Sequence, residues 1–257
     1  MGKGAGAATR LPVACVLFDI DSTLVESQTF GHDATNEVLI SSGYAAISLT
    51  EYDEGCALTT PQRLAWHAVR DPDDVELGAV LGVAFDKLYI SRVTPITPPL
   101  FADIIFVLEA LRAAQPRLLF GLVTNASGAY GRAILAAHAS TSLRGFSIAL
   151  GCDDVTAPKP SGDGLLAAAD LLGVLPSACV YVGDAVTDGQ AAAAAGMRGI
   201  GVSWGRGRGG AKNKSPPTGT CEPAMAMAEA AALDTEWCTH FSAVANDSGE
   251  LLALILP

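Results

Sequence analysis

The sequence is short of basic side chains, short of aromatic ones, and free of any apolar run long enough to cross a membrane. Its 257 residues carry 16 Lys and Arg against 27 Asp and Glu, a formal net charge of -11. Such a balance opposes non-specific binding to nucleic acid and to anionic lipid, so neither is expected as a partner. No stretch of about 18 uncharged apolar residues occurs, which argues against a membrane span. The first ten residues lack the apolar centre of a signal peptide, and Gly6 stands where a myristoylation signal wants Ser or Thr. The six cysteines, Cys15, Cys56, Cys152, Cys179, Cys221 and Cys238, form no Cys-x-x-Cys pair and no framework spacing. Reduced, structural thiols in a soluble cytoplasmic protein are the expectation.

What the chain does have is apolar residues. They make up 50% of it, and the mean hydropathy is +0.34, enough for a substantial buried core. The run Val13 to Phe18 carries no charge until Asp19 and Asp21 arrive two positions apart. An uncharged run of this kind, ending in a polar turn, is the pattern of a strand buried on both faces of a parallel sheet. Residues two apart on an extended chain point the same way, so both carboxylates would project just past the strand's carboxyl end, where open α/β sheets bind ligands. Asp19 and Asp21 also suit an ordinary surface turn, with Ser22 and Thr23 capping a following helix.

Further along, helical spacing appears in residues 35–40, 61–69 and 75–89, broken by Gly43, Gly55 and the turn at Asp71 to Asp74. This reads as a helical module that closes at the prolines of Thr94 to Pro99. Strands are expected at 117–123, 146–150, 178–182 and 199–203, alternating with helices at 100–114, 129–139, 162–172 and 190–195. That alternation predicts an α/β, Rossmann-like parallel sheet with helices on both faces, plus an inserted helical cap domain. The expected division is an α/β core over 12–28 and 97–257, with the cap over 29–96. Gly205, Gly207 and Gly210 match G-x-G-x-x-G formally, but Lys212, Lys214 and two prolines follow instead of a helix, so no dinucleotide site is read there. A helix at about 222–232 and a last pair of apolar stretches, Phe241 to Ala245 and Leu251 to Leu256, finish the chain.

Successive strand ends then present Asp19 and Asp21, Thr124 and Asn125, and Asp184 with Asp188, while Lys159 ends a loop. Each alone has a plain structural explanation, as a helix cap, a turn or an exposed lysine. Together, at one edge of a parallel sheet, they suit phosphoryl transfer. A carboxylate can accept a phosphoryl group and split hydrolysis into two displacements. Its attack on a phosphate dianion needs a cation and a lysine to neutralise charge. Mg2+ suits Asp19 and Asp184, with a backbone carbonyl of Asp21 and waters completing the shell, while the Asp21 carboxyl moves a proton.

At these residues the chain resembles the haloacid dehalogenase superfamily, in its phosphoglycolate phosphatase-like branch with a small helical cap. The first motif, D-x-D-x-T, is Asp19-Ile20-Asp21-Ser22-Thr23, with Ser22 where most relatives have Gly. The second is Leu122-Val123-Thr124-Asn125, the third Ala157-Pro158-Lys159-Pro160, and the fourth Gly183-Asp184-Ala185-Val186-Thr187-Asp188. The resemblance implies Asp19 as nucleophile, Asp21 as general acid and base, and Thr124 and Asn125 as phosphate binders. It also implies Lys159 as charge anchor, and Mg2+ held by Asp19, Asp21, Asp184 and Asp188. The expected activity is a Mg2+-dependent phosphatase acting on a small-molecule phosphate ester, phosphoglycolate or a sugar phosphate. A phosphomutase and a non-catalytic regulatory relative are the alternatives. Substrate choice is expected from the cap around Gly55, Thr59, Thr60 and Arg63, with Arg63 pairing a second anionic group or else lying on a helix surface.

Overall fold

A computed structural model describes residues 12–56, 58–205 and 237–256. Six strands form one sheet in the order β3-β2-β1-β4-β5-β6, every neighbouring pair parallel. They are β1 (Cys15–Phe18), β2 (Leu119–Val123), β3 (Phe146–Leu150), β4 (Cys179–Gly183), β5 (Arg198–Val202) and β6 (Ala243–Ala245). The first strand lies in the middle, paired with β2 on one side and β4 on the other. Its four residues are all buried, as an uncharged run demands.

Alternation along β1 divides the core. Val16 and Phe18 join one apolar cluster with Phe120, Leu122, Val180 and Val182. Cys15 and Leu17 join a second with Leu165, Ala168, Tyr181 and Ala191. The first cluster draws on α5 (Ala102–Ala114), α6 (Gly128–His138) and α9 (Ser248–Ile255); the second on α7 (Asp163–Leu172) and α8 (Val186–Ala194). Helices therefore cover both faces, as the strand and helix rhythm predicts. Cys15 and Cys179 are register partners on β1 and β4, and both are free thiols.

Between β1 and α5 the chain makes four helices: α1 (Gln28–Ser41), α2 (Leu49–Glu54), α3 (Thr60–Val69) and α4 (Val75–Ser91). Three match the spacing read from sequence, while α2 is a single short turn and a half with a capping box between Ser48 and Glu51. The expected boundary after residue 28 falls at the first residue of α1. Pro61 of α3 sits in a notch left by Gly78 and Gly82 of α4, where a Cβ at Gly78 would come within 2.8 Å of the Pro61 carbonyl oxygen.

Two readings change. No helix follows Thr23, because α1 begins only at Gln28; Ser22 adopts φ 59°, a left-handed conformation, and its amide bonds the Val25 carbonyl at 3.0 Å. That conformation explains why glycine suits this position. Of the closing pair, Ala243–Ala245 is a strand, but Ser248–Ile255 is a helix packed on α5. The helix expected at 222–232 and almost all of the loop after Gly205 lie outside the described residues.

Gly78→Val should push α3 from α4 and lower stability by about 1–3 kcal/mol, read as a shift of the urea midpoint. An unchanged midpoint would mean that the two helices are not held by this notch.

Candidate active site

The strand ends do converge. Asp19 follows β1 directly and continues its ladder, its amide donating to the Val182 carbonyl at 2.9 Å. Lys159 arrives on the loop after β3, yet its ammonium is buried and reaches Asp19 Oδ1 at 2.8 Å and Asp188 Oδ1 at 2.6 Å. The third donor contact is to the Tyr181 hydroxyl on β4 at 2.9 Å; that hydroxyl in turn donates to the Val123 carbonyl at 2.8 Å. A buried ammonium with three protons is thereby given three acceptors. Asn125 sets its backbone: the amide oxygen accepts from the Lys159 N–H and the amide nitrogen donates to the Lys159 carbonyl, each at 2.9 Å.

Oxygen atoms of Asp19, Asp184 and Asp188 lie within 4.8 Å of one another. Three carboxylates against one ammonium leave two negative charges uncompensated, and the hard oxygen donor set suits a divalent cation. Asp188 Oδ2 already accepts from the Ala185 N–H at 2.9 Å, and its Oδ1 takes the lysine. Thr23 donates to Asp184 Oδ1 at 3.0 Å, and Trp237 Nε1 donates to the Asp184 carbonyl at 2.6 Å.

The electrostatics agree with a site lacking positive charge. Loss of water raises the Asp19 carboxyl to about 7; Lys159 opposes the rise and Asp188 adds to it. Burial also pushes Asp184 well above the carboxylate range, with Asp188 and Asp19 repelling its charge. For Lys159 burial works against the charge, but Asp188 and Asp19 outweigh it and hold the ammonium protonated. Asp21 is raised by burial, against the pull of hydrogen bonds from Ser27 and Tyr130.

Asp19, Asp21, Lys159 and Asp184 line a cavity of about 1030 Å³ between the sheet edge and the inserted helices. Thr124 and Asn125 form its floor beside Asp19, and Thr60, Arg63, Tyr52 and Phe85 face them from the helices. Arg63 is 6% exposed, so it is not a helix-surface arginine. Its guanidinium lies over the rings of Tyr52 and Phe85, 4.8 and 4.9 Å from their centres, and donates to Thr35 Oγ1 at 3.0 Å. Among the described residues it makes no ion pair. Thr59 instead serves α3, its hydroxyl donating to Gln62 Oε1 at 2.8 Å. Tyr181, Thr23, Ser27, Tyr130 and Thr35 escaped sequence reasoning; only Thr23, in the first motif, left any signal.

Comparison with known proteins gives a consistent picture. Residues 13–196 match the family described as haloacid dehalogenase-like hydrolase. A phosphoglycolate phosphatase of Xylella fastidiosa is 34% identical over 192 residues, 74% of this chain and 80% of that one. The phosphoglycolate phosphatase of Escherichia coli K12 is 30% identical over 222 residues, 79% and 86% of the two chains. A solved haloacid dehalogenase-like structure from Bacteroides fragilis superposes with a TM-score of 0.66 at 26% identity, covering 76% of this chain and 89% of that one. A solved structure from Lactobacillus plantarum, described as a phosphoglycolate phosphatase, reaches 0.72 at 19% identity over 95% of this chain and all of that one, a likeness of fold.

The raised carboxyls fix a sign for pH. An unfolded aspartate loses its proton near pH ~3.9, whereas folded Asp19 keeps its own to about 7, so the metal-free fold binds the extra proton and loses stability as pH rises between those values. Melting in chelator should therefore show Tm falling from pH 5 to 8, with a divalent cation restoring it. Asp184→Asn should raise the metal-free Tm at pH 8 and remove the cation-induced rise. An undiminished rise in that variant would take Asp184 out of the cation site.

Proposed function

The chain belongs to the haloacid dehalogenase-like hydrolases, and we propose that it is a Mg2+-dependent phosphatase of a small phosphate monoester, phosphoglycolate or a sugar phosphate, working through an aspartyl-phosphate on Asp19. The observation that carries this reading is the buried Lys159 held between Asp19 and Asp188 at one cavity that Asp21, Asp184 and Thr124 also line. In the same reading residues 12–28 and 97–257 are the catalytic core and 29–96 the cap.

Asp19, Asp184 and Asp188, with the Asp21 backbone, would hold Mg2+, which supplies neutralisation of the phosphate charge and of the crowded carboxylates. An Asp19 oxygen forms a bond to phosphorus as the ester P–O bond breaks. Asp21 gives its proton to the departing oxygen, and the alcohol leaves. Water then loses a proton to Asp21 and attacks phosphorus; the Asp19–phosphorus bond breaks, and free phosphate and the carboxylate are restored. Thr124 donates to a phosphate oxygen throughout, with Asn125 beside it fixing the lysine. Lys159 favours the ionised form of Asp19 against the effect of burial, a bias that the cation would complete, and offsets charge in the transition state. The cap's Arg63, a buried guanidinium that makes no ion pair among the described residues, receives the substrate's second anionic group.

Asp19→Asn should abolish phosphate release from p-nitrophenyl phosphate in Mg2+ while the circular dichroism spectrum stays native; retained turnover would sink the mechanism. Arg63→Met should lower kcat/KM for phosphoglycolate by about tenfold or more, since a charge-assisted hydrogen bond contributes ~1.5–3 kcal/mol. A smaller loss is expected for p-nitrophenyl phosphate, and equal losses on both esters would remove Arg63 from recognition. Assay of sugar phosphates by product identity separates hydrolysis from isomerisation.

A further inference from the structure

Among the described residues, the hydrogen bond that meets the Asp21 carboxylate comes from a neutral hydroxyl: Tyr130 donates to Asp21 Oδ1 at 3.1 Å. Tyr130 belongs to α6 and is 1% exposed, behind the cavity wall rather than on it. Its ring also meets that of Tyr89, on α4, so the side chain that bonds Asp21 rests on one of the inserted helices.

The centres of the two rings are 4.8 Å apart. Tyr89 stacks on Phe85 at 4.7 Å, and Phe85 lies 4.9 Å under the Arg63 guanidinium. One unbroken line of contacts therefore runs from Arg63, across Phe85, Tyr89 and Tyr130, to Asp21. The seat of this line is set by the packing of α4 on α6 and by Ser127, at the cap of α6, whose Oγ accepts from the Tyr130 N–H at 3.4 Å.

We propose that Tyr130 is a positioning residue for Asp21, aiming its carboxyl at the leaving oxygen, and that Tyr89 makes this aim depend on where α4 sits. The inference rests on Asp21 as the proton donor of the proposed reaction. A phenol buried among apolar side chains needs a partner whatever its role, so a merely structural tyrosine is the competing account. The two differ in what they do to chemistry. A positioned acid matters most when the departing oxygen is basic and least when it leaves unaided; a structural tyrosine disturbs all esters alike.

The test is the dependence of kcat/KM on leaving-group basicity across substituted phenyl phosphates, from p-nitrophenyl to p-methylphenyl, in Mg2+. These probes need no knowledge of the natural substrate, and kcat/KM reports the step in which the ester bond breaks. Tyr130→Phe keeps the ring packing and removes the donor. It should lower kcat/KM for the most basic leaving group by about tenfold or more, part of the ~10²–10⁴ that acid catalysis supplies, while p-nitrophenyl phosphate changes within about threefold. Tyr89→Leu, which removes the ring that Tyr130 rests on, should steepen the dependence in the same direction by a smaller factor. A parallel displacement of the line, with every ester losing equally, would overturn the inference, as would no change in either variant. Asp21→Asn in the same series separates the two levels: a steeper dependence there with an unchanged one in Tyr130→Phe removes Tyr130 alone, whereas an unchanged dependence in Asp21→Asn removes the proton-donor reading beneath it.

Discussion

A single buried lysine between two aspartates sets the terms for the rest of this structure. Taking an ammonium and a carboxylate out of water costs several kcal/mol each, and attraction offsets that only with good geometry and complete hydrogen bonding. Lys159 has both, with Asp19, Asp188 and the Tyr181 hydroxyl all within 2.9 Å. The arrangement obliges the end of β1, β4, the first turn of α8 and the loop after β3 to meet at one point. It also leaves Asp184 crowded against like charge, so the fold carries an electrostatic deficit that a cation would relieve. In such a centre, stability is given up for a preorganised field.

The sheet explains how residues so distant in sequence meet. With β1 central, its carboxyl end lies beside those of β2 and β4, so Asp19, Thr124 and Asp184 become neighbours without any unusual loop. The inserted helices then close the space above them. They bring Arg63 and an aromatic wall to a site whose floor is acidic, and the proposed function divides the tasks accordingly, with the phosphate at the floor and the remainder of the molecule at the wall. Contact between α4 and α6 joins wall to floor.

Legibility in the sequence followed the range of the interaction. The buried strand from Val13 was legible because burial on both faces leaves a continuous apolar run. The alternation of strands and helices followed from local periodicity, and the four motifs from short spacing. Tyr181, Tyr130, Ser27 and Thr35 were not legible, because a polar side chain whose partner lies far along the chain, such as Tyr130 with Asp21, leaves no local pattern. Arg63 was ambiguous for a related reason. Its helix gives it a face, but only the neighbouring α1 and α4 decide that the face is closed. The stretch from Leu251 to Leu256 was too short and too uniformly apolar to distinguish helix from strand, and packing on α5 decides for helix.

The central claim is that phosphate passes through Asp19 in two displacements rather than going directly to water. The stereochemical course at phosphorus tests this without needing the intermediate to accumulate. A thiophosphate ester made chiral with oxygen isotopes, hydrolysed in isotopically labelled water, should give product with retained configuration, because two inversions cancel. Net inversion would mean a single attack by water and would contradict the account.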